Sequence, residues 1–173
     1  MLIFIPLIAV MAPYALPDAD DSAAQISEVR IGVEPVGSLK CKPIYDVMFD
    51  SWDCGDARIY TAEFDLSSLE DNPQYEGDRL LEHAVYRFYR AVNYMDYEAP
   101  RGGFTKEGDG IIATADNGLN TGTIMAARAG DGIVWVAYVE DMDDPTYSKP
   151  FVDSLKSMIL GTDSNNRGGV NAA

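Results

Sequence analysis

Gly122-Thr-Ile-Met-Ala-Ala-Arg-Ala-Gly-Asp-Gly-Ile-Val-Trp-Val-Ala-Tyr-Val-Glu140 consists of two apolar runs joined by Gly130-Asp131-Gly132. Glycine and aspartate tolerate the positive φ that a tight reversal requires, so the stretch predicts a β-hairpin. Its second run, Ile133 to Glu140, is apolar on both faces until Glu140. That pattern predicts a central strand covered on both sides.

Working outward, period-2 alternation dominates. Glu28 to Glu34 places Val29, Ile31 and Val33 on one face, and Ala57 to Leu66 places Tyr60, Ala62, Phe64 and Leu66 inward. Pro43 to Phe49 is a weaker strand, and Gly110 to Ala115 precedes the hairpin. Two helices interrupt the strands. Asp78 to Met95 sets Leu80, Leu81, Ala84, Val85, Phe88, Ala91, Val92 and Met95 on one stripe at the 3.6 period. The second helix starts at Ser148 as N-cap, with Pro150 in its first turn, and ends at Gly161. The order βββ-α-βββ-α predicts a single α+β domain over residues 26–160, a mostly antiparallel sheet packed by two helices.

The two ends read differently. Residues 1–17 carry no charged side chain, and Leu2 to Ala12 is an apolar run too short to span a bilayer. With Ala12 and Ala15 as small residues for cleavage, residues 1–15 read as a signal peptide, although no Lys or Arg precedes the run. A buried N-terminal strand or a short anchor is the alternative. Residues 16–25 read as a flexible acidic linker, and residues 161–173 as a loose tail with almost nothing to bury. Export would deliver the chain to the periplasm or the extracellular space, with no stable membrane insertion after leader removal.

Export bears directly on Cys41 and Cys54, the two cysteines of the chain. In an oxidising compartment they would form one disulfide, and closing a loop of this length contributes roughly 3 kcal/mol by chain entropy. In the cytosol they would be two reduced core cysteines instead. Their spacing fits neither a Cys-x-x-Cys redox pair nor a four-cysteine zinc site.

Composition excludes further classes. The chain has 173 residues, 47% hydrophobic and 24% charged, ordinary values for a globular protein. Twenty-eight acidic residues against 13 basic ones give a net charge of −15, which repels nucleic acid unless the basic residues gather in one patch. Such acidity fits either a basic partner or a saline habitat. No Gly-x-Ser-x-Gly, P-loop, dinucleotide fingerprint or zincin helix occurs, so neither a cofactor nor a catalytic set is expected.

The strand Ala57 to Leu66 followed by the amphipathic Asp78 to Met95, together with the 122–140 hairpin and the closing Phe151-Val-Asp-Ser-Leu-Lys-Ser-Met-Ile159, resembles the PsbP-like family of small exported α/β proteins. The resemblance covers about two thirds of the chain in element order and carries over no functional residue. It implies an accessory or binding role rather than a common catalytic site, and the Cys41–Cys54 loop departs from the family pattern.

Few residues suggest chemistry. His83, the lone histidine, shares the polar side of the first long helix with Arg79, Glu82, Tyr86, Arg87 and Arg90. The arginines could fork onto carboxylates of a partner or balance neighbouring acids such as Asp78 on a solvated face. Arg79, His83, Tyr86, Arg87 and Arg90 form the candidate binding surface, with Tyr75, Tyr89, Tyr94 and Tyr97 as its aromatic neighbourhood. His83 reads as a solvated residue, because Glu82 lies about 100° away around the helix and cannot orient its imidazole. Glu140-Asp141-Met142-Asp143-Asp144 lacks the glycine bend of a calcium loop and reads as solvated, so no metal site is expected. These features point to an exported, non-catalytic accessory or binding protein. The alternative is an acidic inhibitor or immunity protein that neutralises a basic enzyme or toxin, with salt-sensitive association.

Overall fold

The computed structural model describes residues 26–45, 48–93, 103–116, 118, 120–142 and 144–161. The expected leader, the acidic linker and the tail after Gly161 lie outside the described residues. Within them the chain forms strands β1 (Ser27–Ile31), β2 (Glu34–Tyr45), β3 (Asp50–Asp53) and β4 (Ala57–Asp65), then the short helix α1 (Ser67–Glu70), a 3-10 turn (Pro73–Tyr75) and α2 (Arg79–Val92). Strands β5 (Thr105–Glu107), β6 (Gly110–Asp116), β7 (Thr121–Gly130) and β8 (Ile133–Asp141) follow, and α3 (Pro145–Ile159) comes last. All eight strands join one sheet in the order β1-β2-β3-β4-β8-β7-β6-β5, every neighbouring pair antiparallel. Two four-strand meanders thus meet along β4 and β8.

The antiparallel α+β architecture is as the periodicity implies, but the element order is not. Four strands, rather than three, precede α2, and four follow it. The alternation of Glu28 to Glu34 breaks because Gly32, at φ +57°, reverses the chain, leaving Val33 in the turn and 80% exposed. A Cβ on Gly32 would lie 2.6 Å from the Glu63 carboxylate, so glycine also fits the close approach of this turn to β4. The Pro43 to Phe49 strand is split. Its first residues end β2, and Met48 and Phe49 precede β3.

Both sheet faces are covered. On one, α2 buries Leu80, Leu81, Ala84, Val85, Phe88 and Tyr89 against Ile124, Val134, Val136 and Tyr138. Each large side chain removed from water stabilises this packing by about 1.5–3 kcal/mol. On the other, α3 and the β1–β2 hairpin pack Leu155, Ile159, Val29 and Ile31 onto Ile59, Ala137 and Val139. The hairpin is fixed there by Thr61 Oγ1 donating to the Arg30 carbonyl at 2.7 Å and Trp52 Nε1 donating to Ser27 Oγ at 3.2 Å. Strand β8 is central and buried on both sides. In β4 both faces are packed. Tyr60, Ala62 and Phe64 do pack toward α2, yet Ala57, Ile59 and Thr61 on the opposite face are the more deeply buried.

Local signals set the helix ends. Ser148 is not the N-cap of α3. Asp144 is, its carboxylate accepting from the Thr146 N–H at 2.8 Å, with Pro145 as the first helical residue. Ser148 is buried inside the helix and donates to the Pro145 carbonyl. Gly161, at φ +67°, follows the C-cap as expected. Asn93 Nδ2 donates to the Tyr89 carbonyl and closes α2, while Tyr94 and Met95 lie outside the described residues. Cys41 in β2 and Cys54 just past β3 are bonded, with Cα atoms 4.8 Å apart, tying one end of the β2–β3 pair.

Candidate binding face on the second helix

At 3.6 residues per turn, Arg79, His83, Tyr86, Arg87 and Arg90 fall within an arc of ~100° on α2, and Arg79 and Arg90 stand ~16 Å apart along its axis. The same periodicity that turns Leu81, Val85 and Phe88 into the core turns these five outward, and the structure brings all of them together on one face. Arg79, Tyr86, Arg87 and Arg90 are exposed, and His83 is half-buried.

The aromatic side chains form a bed for the charges. Tyr75, on the 3-10 turn, packs its ring against His83 with centroids 4.8 Å apart. Tyr86 meets Phe104 edge to face at 5.5 Å, and the Arg87 guanidinium lies over Phe64 at 5.7 Å. Partial burial, with the Arg87 charge added, holds the His83 imidazole below its ordinary pKa, so it is neutral near pH 7. Tyr89 was expected in this neighbourhood. It is instead fully buried and stands against Tyr138.

Asp78, the acid next to Arg79, does not neutralise it. Both of its carboxylate oxygens accept from Lys106 Nζ on β5, at 3.0 and 3.1 Å. Among the described residues none of Arg79, Arg87 and Arg90 makes an ion pair, whereas Arg30, Lys106, Arg128, Lys149 and Lys156 each do. A chain of net charge −15 therefore presents a local row of guanidinium groups that make no ion pair among the described residues, Arg87 resting on the Phe64 ring.

Two other polar sites were missed in the sequence. The acidic run starting at Glu140 suggests a solvated loop, but Glu140 is the penultimate residue of β8 and is 6% exposed. Asn120 Nδ2 donates to Glu140 Oε1 at 2.7 Å and the Tyr60 hydroxyl donates to Oε2 at 3.3 Å. Burial first and the Glu140 charge second push the Tyr60 phenol up to about 12, and Tyr138, stacked on it, is raised further for the same reasons. The period-2 pattern did contain the signal, since Glu140 has the parity of Val136 and Tyr138. The second site is a groove of about 590 Å³ between α3 and β5–β6, floored by Ile112, Thr114 and Thr123 and bounded by the Lys156–Glu107 ion pair.

Among the described residues no cluster of three or more His, Cys, Asp or Glu side chains could hold a metal ion, and no helix is long and apolar enough to cross a membrane. Comparison with models of known protein families, with characterised proteins and with solved structures finds no match to this chain.

Proposed function

We propose that this protein is an exported, non-catalytic accessory or binding protein, and that the outer face of α2 is its binding surface. The observation that carries the reading is the row Arg79, Arg87 and Arg90, exposed and without ion pairs among the described residues. A guanidinium fork left open on an aromatic bed suits a partner better than it suits the fold. His83 supports the same role. Its ring packs on Tyr75 and its basicity is lowered by Arg87, so it contributes an aromatic surface rather than a proton relay. The Cys41–Cys54 bond and the apolar leader support export, and the element-order resemblance to PsbP-like proteins agrees with an accessory role.

A photo-crosslinking residue at position 86, compared with one at the exposed Tyr147 of α3, tests the face on the secreted protein. Crosslinks confined to position 86 are expected. Crosslinks only from position 147, or from neither, would move the binding surface elsewhere. The net charge of −15 favours a second reading, an acidic inhibitor or immunity protein whose carboxylates neutralise a basic enzyme or toxin. Under that reading the partner is cationic and the α2 face stays free.

A further inference from the structure

Resting on the reading of α2 as the binding face, we propose that its occupant is an acidic segment of a partner protein, rich in Asp and Glu and carrying an apolar residue. Arg79 stands at an electrostatically unfavourable position. It is the first residue of α2, where the aligned peptide dipoles already present positive charge, and a cation there is unfavourable. The adjacent carboxylate that would offset this is held by Lys106. Glu82, the acid of the same first turn, makes no ion pair with Arg79 among the described residues, whereas Arg90, in the last turn, complements the dipole. An arginine at the unfavourable end of its helix, aligned with Arg87 and Arg90 and like them without an ion pair among the described residues, is explained by what it contacts outside the chain.

The dimensions select the class of occupant. The row spans ~16 Å, the length of about five residues of extended chain or three turns of helix. Three forks match carboxylates bidentately, and Tyr86 against Phe104 offers an apolar landing beside them. Long polyanions such as nucleic acid or sulfated glycan extend beyond the row and meet the repulsion of a chain of net charge −15, so charge complementarity is local and favours a short segment.

The test uses an octaglutamate peptide with a terminal fluorophore, titrated with the secreted protein by fluorescence anisotropy at 20 mM and 150 mM salt. Binding is expected at low salt, weakening as salt rises, and the triple variant Arg79→Ala, Arg87→Ala, Arg90→Ala should weaken it at least tenfold. Lys149→Ala, on α3, should leave it unchanged. Arg79→Ala alone should weaken binding several-fold while leaving the unfolding midpoint equal or higher, an outcome that a purely structural role does not produce. Absence of peptide binding, or equal binding by the triple variant, overturns the proposal. So does tighter binding of a heparin fragment or oligothymidylate to the same face. Any of these results combined with crosslinks at position 86 would leave the binding face in place and discard only the acidic segment.

Discussion

Lys106 Nζ bridges both carboxylate oxygens of Asp78, joining the edge strand β5 to the start of α2. The pair is exposed, so its own contribution to stability is small, about 0–1 kcal/mol. Its larger effect is on charge, because it withholds from Arg79 the nearest acid in sequence. Lys106→Ala should change the unfolding midpoint little and weaken octaglutamate binding, since the released Asp78 would compete for Arg79. Anisotropy titration of the variant at low salt checks this.

The Cys41–Cys54 bond fixes the β2–β3 pair at one end. Replacing both cysteines by alanine should lower stability by about 3 kcal/mol through the freed entropy of the unfolded loop. Urea unfolding of the double variant against the oxidised protein measures the difference. Intact mass with and without reductant reports the bond, and the same measurement tests whether residues 1–15 are removed.

Gly132 ends the β7–β8 turn at φ +71°, and a Cβ there would lie 2.5 Å from the Ser67 Cα. The obstacle is backbone, and Ser67 sits beside the bond from the Leu66 N–H to the Gly132 carbonyl. Gly132→Ala should therefore cost at least about 2 kcal/mol, combining left-handed strain with the clash. The midpoint of chemical unfolding reads it directly.

Glu140 accepts from Asn120 and Tyr60 in a buried setting, so Glu140→Ala should cost about 1–3 kcal/mol by leaving both donors without their acceptor. Glu140→Gln removes the charge and should lower the Tyr60 pKa from its value of about 12. In the native protein the folded state holds this proton above the ordinary 10, so stability is full below pH 10 and falls as pH rises toward about 12. Absorbance titration at 295 nm, with and without the substitution, separates the charge effect from burial.

His83 has the opposite sign. Its folded pKa lies below 6.5, so the unfolded chain binds the proton first, and stability declines as pH falls below 6.5 toward the folded value. Arg87→Ala removes the second cause and should raise the His83 pKa, as read from the imidazole proton shift by NMR.

What the sequence revealed depends on how local its causes were. The 122–140 hairpin, α2 and the arginine row follow from periodicity and turn chemistry that act within a few residues. The β1–β2 reversal was obscured because Val33 continues the alternation while Gly32 breaks the strand, and one glycine outweighs three well-placed apolar residues when the backbone must turn. The start of α3 was misplaced because Asp144 and Ser148 both suit a cap, and the burial that chose between them comes from distant strands. The fate of Asp78 was not readable at all. Its partner Lys106 is 28 positions away, on an edge strand of three residues.

The sheet has one seam, β4 against β8, a register of nine paired residues running from Ala57–Asp141 to Asp65–Ile133. Because β8 is nearly the last element made, the first four strands wait through most of synthesis without the neighbour that completes them. A nascent chain of this design can close that seam in full only after residue 141 has cleared the ribosome. Non-local closure of this kind, between residues 68 to 84 positions apart, slows folding relative to a fold built from local turns.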